Sequence, residues 1–313
     1  MRLQRTPDAG RAAPSGATYR DPVSTPTPAL DLAAGLATAT DLLRGARIAV
    51  LTGAGISTDS GIPDYRGPDS PPRTPMTYEQ FVSDGAFRRT YWARNHVGWR
   101  HVHRTVPNAG HEALVRMEAR GLLTGVVTQN VDRLHHRAGS RRVIDLHGTY
   151  ADIVCLQCGA RSTRDALAKR LEELNPGFAE AAGSLADVEI APDADAVVAS
   201  TEGFLVADCE LCGGMLKPDI VYFGESVPKE RVARAFALVD EADALLVAGT
   251  SLTVMSGLRF VKHAARTDTP VVLINRGATR GDALATVRID AGTTQTLLAL
   301  DESLPGLPGL AAR

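Results

Sequence analysis

The feature that most constrains the fold is an apolar run that ends directly in a glycine-rich turn. Residues 47–52 (RIAVLT) are followed at once by Gly53, Ala54 and Gly55. An apolar run of this length, bounded by turn residues, is typical of a parallel strand buried on both faces. Glycines at its end let the backbone approach a pyrophosphate, and amides at a helix start favour anionic oxygens. The next glycine is Gly61, which departs from the fingerprint of hydride-transfer enzymes, so the loop alone indicates either a nucleotide site or a tight strand–helix turn.

Further apolar runs alternate with helical patterns along the chain. Strands are predicted at 125–128, 143–146, 244–248 and 271–274, and helices at 31–43, 111–120, 229–241 and 257–266. Strands that alternate with helices predict an α/β fold, a Rossmann-like parallel sheet with helices on both faces and right-handed crossovers.

The stretch 151–215 interrupts this alternation and contains every cysteine of the chain. We therefore expect a discontinuous Rossmann-like NAD-binding domain, residues 29–150 and 216–303, with a small zinc-binding module at 151–215. Residues 1–28, rich in Pro, Ala, Thr and Arg, are predicted to be a disordered tail, with an Arg-rich organellar transit peptide as the alternative. Residues 304–313 are predicted to be a C-terminal tail.

The charge balance bears on partners and location. The formal net charge of −2 gives no bulk attraction to nucleic acid, and no apolar run approaches the ~20 residues that span a bilayer. Basic residues are almost all arginine, which favours a GC-rich bacterial genome. We expect no nucleic-acid or membrane partner, a monomer, and a cytoplasmic location in a bacterium, or a mitochondrial one in a eukaryote.

The four cysteines form two C-x-x-C pairs, each followed by glycine: Cys155 with Cys158, and Cys209 with Cys212. In a reducing compartment such pairs hold metal more often than they form disulfides. Four thiolates suit one tetrahedral, structural Zn²⁺ ion per chain, and a redox pair is the alternative. Because a closed four-thiolate site has no open position for catalysis, we assign it to folding of the module.

Polar residues follow two other predicted strands. Gln129, Asn130 and Asp132 come after the strand at 125–128, and His147 follows the strand at 143–146. In an open parallel sheet these strand ends meet at the ligand-binding edge, where amides and carboxylates suit ribose hydroxyls and a carboxamide. A histidine there suits general-base work, although in isolation a structural histidine is the commoner case.

Three of these blocks together resemble the sirtuin family: 53–66 (GAGISTDSGIPDYR), 128–135 (TQNVDRLH) and 147–148 (HG). The resemblance extends to residue 293 and is strongest to the class II, sirtuin-4-like branch. It implies an NAD-dependent protein-lysine deacylase that transfers the acyl group from lysine to ADP-ribose and releases nicotinamide. A protein mono-ADP-ribosyltransferase and a non-catalytic NAD-responsive binding module are the alternatives. A zinc-ribbon nucleic-acid binder is disfavoured by the near-neutral charge.

The resemblance also implies residue roles. His147 would be the general base, Asn130 and Asp132 would line the nicotinamide pocket, and Gln129 would contact the nicotinamide ribose together with His147. His135 matches the family motif, although a structural role at a helix start is equally open. The other residues implied in NAD⁺ binding are Gly53, Ala54, Gly55, Ile56, Asp64, Tyr65, Arg66, Gly249, Thr250, Ser251, Asn275, Arg276, Gly277 and Thr293.

The segment 217–225 (KPDIVYFGE) resembles the part of the family that pairs with an extended acyl-lysine peptide by strand addition. Val221, Phe223 and Gly224 would contact this substrate. A simple core strand is the alternative, and both descriptions fit residues that alternate between faces.

Tyr91 and Arg94 lie three residues apart on a predicted helix, so their side chains would share one face. This spacing resembles that of family members that prefer acidic acyl groups, in which such a pair recognises a distal carboxylate. A guanidinium suits that task. The neighbouring Trp92 and Trp99 are predicted to pack in the core.

Overall fold

The computed structural model describes residues 25–67, 74–182 and 196–307. Most of the predicted N-terminal tail, the end of the predicted C-terminal tail and the middle of the predicted module therefore lie outside the described residues. The strands are β1 (Ala29–Leu30), β2 (Ile48–Thr52), β3 (Leu123–Thr128), β4 (Val143–Asp145), β5 (Gly148–Cys155), β6 (Arg161–Thr163), β7 (Leu216–Ile220), β8 (Ala244–Ala248), β9 (Val271–Ile274) and β10 (Val287–Ile289).

Helices lie between most strands of the large sheet, as the sequence predicts, whereas β4, β5 and β6 follow one another directly. The helices are α1 (Leu32–Leu43), α2 (Tyr78–Ser83), α3 (Gly85–Arg104), α4 (Ala109–Ala119), α5 (Leu134–Ala138), α6 (Arg164–Leu174), α7 (Phe178–Ala181), α8 (Lys229–Asp240), α9 (Met255–Arg266) and α10 (Thr293–Ser303). Of the helices that can be described, none has the length and apolar character needed to cross a bilayer.

Seven strands form one parallel sheet in the order β1-β10-β9-β8-β2-β3-β4. Residues of β2 alternate between two hydrophobic cores, because successive side chains of a strand point to opposite faces. Val50 packs on the face covered by α1, α4 and α10, whereas Ala49 and Leu51 pack on the face covered by α8 and α9. The predicted Rossmann-like sheet with helices on both faces is confirmed.

A smaller antiparallel sheet, β6-β5-β7, carries the cysteine pairs. Its strands start at Gly148 and end at Ile220, a few residues outside the predicted module at both ends. Its core includes Phe81 from α2 and Trp92 from α3 in addition to residues of the insertion. Trp92 is fully buried there, as predicted. Helices α2 and α3 thus pack on the small sheet, a contact that no local sequence pattern indicated.

Candidate active site

A cavity of about 1470 Å³ lies over the carboxyl ends of the central strands of the parallel sheet. All but one of the residues predicted for catalysis, NAD⁺ or substrate line it. These are Gly53, Ala54, Gly55, Asp64, Tyr65, Arg66, Tyr91, Arg94, Gln129, Asn130, Asp132, His147, Val221, Phe223, Gly224, Gly249, Thr250, Ser251, Asn275, Arg276, Gly277 and Thr293. Ile56 is the exception, because its side chain is fully buried in the core beneath α4 and α10.

The glycine loop has a different local structure from the one expected. It continues into two three-residue 3-10 turns instead of a long helix. The amide of Gly55 donates to the carbonyl oxygen of Gly249 at 2.8 Å, and the amide of Ile56 donates to Gly53 at 3.2 Å. These two amides are therefore paired within the protein, and binding of a pyrophosphate by the loop stays a prediction.

The loop glycines have a packing reason that the sequence did not reveal. A Cβ on Gly55 would lie 2.8 Å from the Cα of Gly249, and one on Gly53 would lie 2.6 Å from the Cβ of Thr250. Gly249 itself has a φ of +67°, in the left-handed region that favours glycine. The ends of β2 and β8 thus meet backbone to backbone, and this contact forms one wall of the cavity.

Asn130 and Asp132 belong to a polar cluster after β3. The side-chain amide of Asn130 donates to the carbonyl oxygen of Gly53 and to the hydroxyl of Ser57, both at 3.1 Å. The Ser57 hydroxyl donates to Asp132 at 2.7 Å, and the second Asp132 oxygen accepts from the amide of Leu134 at 2.8 Å. Burial raises the pKa of Asp132, and these two hydrogen bonds oppose the rise. The cluster fixes a carboxylate oxygen and an amide at the cavity wall.

His147 lies between β4 and β5, and its two ring nitrogens have different partners. Nδ1 is 2.9 Å from the carbonyl oxygen of Gln129, and Nε2 is 2.8 Å from the hydroxyl of Ser256. Because a carbonyl oxygen only accepts, the proton of the neutral ring lies on Nδ1, and Nε2 presents a lone pair. Burial lowers the pKa of His147 to about 4, so the imidazole is neutral near pH 7 and can accept a proton.

His135 is fully buried beneath the strand ends, outside the residues that line the cavity. Its Nε2 lies 2.9 Å from the Thr52 hydroxyl, which donates to Thr128 at 2.9 Å. The Thr128 hydroxyl in turn accepts from the amide of Asn130 at 3.1 Å. Burial lowers the pKa of His135 well below its usual value, so the neutral ring takes part in the hydrogen-bond chain that leads to the Asn130 backbone.

Helix α3 brings Tyr91 and Arg94 to one wall of the cavity. Tyr91 is nearly buried and packs edge-on against Phe81, with ring centroids 5.3 Å apart. Arg94 donates from Nε to the carbonyl oxygen of Ala196 at 2.8 Å, which ties the helix to the inserted segment. A cationic group and an aromatic ring thus share the same part of the wall.

The segment after β7 is only partly a strand. The carbonyl oxygen of Phe223 accepts from the amide of Tyr78 at 2.9 Å, and the amide of Tyr222 donates to the Glu225 carboxylate at 3.0 Å. That carboxylate also forms an ion pair with the buried Lys217 at 3.0 Å. Backbone groups of Tyr222 and Phe223 are therefore already held by the protein, while residues of the segment line the cavity.

The four cysteines converge at the end of the small sheet. Their sulfur atoms all lie within 4.8 Å of one another, with Cys155 and Cys212 at 3.6 Å and Cys158 and Cys209 at 3.8 Å. A tetrahedral ion with bonds of about 2.3 Å needs sulfur separations of about 3.8 Å. The cysteines are free thiols positioned to hold a zinc ion, and the redox-pair alternative has no disulfide in support among the described residues.

Two residues that contact the predicted catalytic groups are not among the residues predicted from the sequence. Ser57 lies inside the block 53–66, so the motif itself could have drawn notice to it. Ser256 carried no signal, because it precedes a predicted amphipathic helix and lies 109 positions from His147. Only the packing of α9 against the end of β3 brings the two side chains together.

The fold and the cavity define a nucleotide-binding α/β protein with a separate four-thiolate metal site. The model of the Sir2 family matches residues 53–256. The chain therefore belongs to the Sir2 family, the sirtuins.

Curated relatives and solved structures agree with this assignment. The chain is 63% identical over 267 residues to NAD-dependent protein deacetylase 1 of Mycobacterium avium (strain 104), covering 85% of this chain and 95% of the relative. It is 52% identical over 270 residues to NAD-dependent protein deacetylase 1 of Streptomyces coelicolor, covering 84% and 89%. A Sir2 structure with a p53 peptide and NAD⁺ superimposes with a TM-score of 0.63 at 31% identity, covering 85% of this chain and 96% of that one.

Proposed function

We propose that this sirtuin is an NAD-dependent protein-lysine deacylase of the class II, sirtuin-4-like branch, and that it accepts acidic acyl groups. The observation that carries the proposal is the state of His147. A neutral imidazole with its Nε2 lone pair directed at a hydroxyl lies in the same cavity as the Asn130–Ser57–Asp132 cluster. That combination suits a base that acts on a sugar hydroxyl beside a bound carboxamide.

The reaction follows from these groups acting in turn. The carbonyl oxygen of the acyl-lysine attacks the anomeric carbon of the nicotinamide ribose, and the bond from that carbon to the nicotinamide nitrogen breaks with its electron pair. His147 then accepts the proton of a ribose hydroxyl, whose oxygen adds to the former carbonyl carbon. One water molecule is consumed as the lysine amine leaves. The products are lysine, nicotinamide and O-acyl-ADP-ribose.

The polar cluster would bind nicotinamide. The Asp132 carboxylate would accept from the carboxamide nitrogen, and Ser57 and Asn130 would hold the carboxylate and the loop in place. The strand-end residues around Gly249 and Asn275 would take the adenosine half, and Gln129 the ribose next to nicotinamide.

The substrate would be an extended peptide. A related Sir2 has been solved with a p53 peptide and NAD⁺, which supports a peptide substrate here. The segment 221–224 would supply main-chain hydrogen bonds to the peptide, and Val221 and Phe223 would pack on the lysine stem. We also propose that the predicted division into a discontinuous NAD⁺ domain and a zinc module holds, and that the protein is a monomer in the bacterial cytoplasm.

The acyl end of the substrate would meet Tyr91 and Arg94. A guanidinium can bind a carboxylate through two parallel hydrogen bonds, whereas an acetyl group offers no partner for it. Burial of much of the surrounding wall strengthens this charge–charge contact relative to bulk water.

Peptides carrying acetyl, succinyl, glutaryl, methylglutaryl or lipoyl lysine test the proposal, with kcat/KM measured for each. Arg94→Leu should lower kcat/KM for the acidic acyl groups by about 10- to 100-fold, the worth of a hydrogen bond to a charged group. It should leave acetyl turnover within about twofold. Arg89→Leu, an exposed arginine of the same helix, is the matched control.

Good acetyl turnover with no activity on acidic groups would remove the acyl assignment and leave the deacylase. ADP-ribose found on the peptide, in place of acyl-ADP-ribose in solution, would favour mono-ADP-ribosyl transfer. Absence of nicotinamide release with every peptide would contradict the enzymatic assignment itself.

A further inference from the structure

The hydroxyl of Ser256 forms a hydrogen bond with Nε2 of His147, the nitrogen that would accept the proton in the proposed reaction. The oxygen and the nitrogen lie 2.8 Å apart, and both residues line the cavity. The second ring nitrogen is held by the carbonyl oxygen of Gln129, so the ring is fixed in the tautomer that accepts at Nε2. The lone pair that must take a proton therefore faces a serine hydroxyl.

The position of Ser256 is set by the packing of α9. The next residue, Gly257, comes so close to Gln129 that a Cβ there would lie 2.7 Å from the Gln129 side-chain oxygen. Gln129 is itself held by Thr250 at 3.0 Å. Ser256 and the ring of His147 are thus both anchored to the same residue, Gln129, which fixes their relative geometry.

We propose that Ser256 relays the proton between the ribose hydroxyl and His147. The ribose hydroxyl gives its proton to Oγ of Ser256 as its oxygen bonds to the former carbonyl carbon, and Ser256 gives its own proton to Nε2. His147 becomes an imidazolium that still donates from Nδ1 to Gln129. When the lysine amine leaves, the proton returns to its nitrogen through Ser256, and the serine ends as it began.

The surroundings favour this role. Ser256 is the second residue of α9, a helix of 12 residues, so it lies at the positive end of the helix dipole. Positive potential there stabilises negative charge that develops on Oγ while two protons move. A serine hydroxyl is also small enough to rotate between a sugar oxygen and an imidazole.

The inference rests on the proposed deacylase reaction and can be separated from it by comparing two rates. Exchange of labelled nicotinamide into NAD⁺ reports the first step, which needs no base, whereas acyl-ADP-ribose formation reports the step that does. Ser256→Ala should lower kcat by about 100-fold, the lower end of the usual range for acid–base groups. The ratio of exchange to turnover should rise by the same factor, and Ser256→Thr should restore it.

His147→Ala is the arm that tests the underlying reaction. If it raises the ratio and Ser256→Ala does not, the relay is wrong and the deacylase mechanism stands. If neither substitution raises the ratio, the assignment of His147 as base is wrong as well. A Ser256→Ala enzyme with unchanged kcat would mean that the serine only covers the base before substrate binds.

A measurement on the unaltered enzyme covers the case in which Ser256→Ala fails to fold. Single-turnover rates of acyl-ADP-ribose formation are measured in mixtures of light and heavy water. Two protons moving together should give a curved dependence of the rate on the deuterium fraction. A linear dependence, which indicates one proton in transit, would overturn the relay.

Discussion

His111 gives a prediction whose magnitude follows from its burial. His111 lies in the first turn of α4 and its ring is fully buried. Its Nδ1 accepts from the amide of Asn108 at 3.4 Å, and the ring packs against His135 with ring centroids 4.9 Å apart. Burial lowers the pKa of His111 from 6.5 to about 4. The folded protein therefore keeps this imidazole neutral in mild acid, while the unfolded chain protonates it.

The sign follows from proton binding. Above pH 6.5 the ring is neutral in both states and has no effect on pH dependence. Between pH 6.5 and about 4 only the unfolded chain binds the proton, so the free energy of unfolding falls by about 1.4 kcal/mol for each pH unit. His111 alone thus removes about 2 kcal/mol at pH 5, and about 3 kcal/mol by pH 4.

Urea denaturation from pH 7.5 to 4.5 of the wild type and His111→Gln measures this. Glutamine keeps an acceptor for the amide of Asn108 but does not titrate. Below pH 6.5 the free energy of unfolding of His111→Gln should therefore fall less steeply than that of the wild type, by the slope that one bound proton contributes. His103→Gln, which removes an exposed imidazole, is the control for loss of a histidine. Parallel curves of unfolding free energy against pH for the wild type and His111→Gln would show that burial does not lower the pKa of His111, whatever the offset between the curves at neutral pH.

Two other perturbations have clear expected results. Gly148→Ala should prevent stable folding, because φ is +80° and the new Cβ would clash with the carbonyl oxygen of Asp219. Gly177 has a similar φ but open space around it, so Gly177→Ala should lower the free energy of unfolding, measured by thermal denaturation, by only about 1–2 kcal/mol. Equal losses at the two sites would contradict this. Cys158→Ser should abolish the one bound zinc per chain, measured by elemental analysis, and should make the small sheet the first site of proteolysis; retained zinc with unchanged digestion would contradict the structural role.

The central strands were predictable because they are continuous apolar runs. Residues 244–248 and 271–274 form strands with the predicted bounds, since both faces of these strands are covered. The short neighbouring strands β1 and β10 were not predicted, because two or three residues carry no readable period.

In the site, as in the sheet, some features were predictable from local sequence and others were not. Polar residues at strand ends could be assigned to one edge of the sheet, because parallel strands all end there, and the cavity contains them. The contacts made by Ser256 and by α2 and α3 depend on how distant elements pack, which no local pattern encodes. The sequence predicted that Gly53 and Gly55 allow another group to approach the backbone closely. In the structure the group that approaches is the backbone at Gly249.

The most direct test of the proposed deacylase reaction is the mass balance of one turnover. Enzyme in excess is mixed with NAD⁺ and a glutaryl-lysine or acetyl-lysine peptide, and the products are weighed by mass spectrometry. We expect equal amounts of nicotinamide, free-lysine peptide and O-acyl-ADP-ribose, and loss of the last two in His147→Ala. Nicotinamide released without acyl-ADP-ribose, or acyl-ADP-ribose formed at the wild-type rate by His147→Ala, would contradict the proposed reaction.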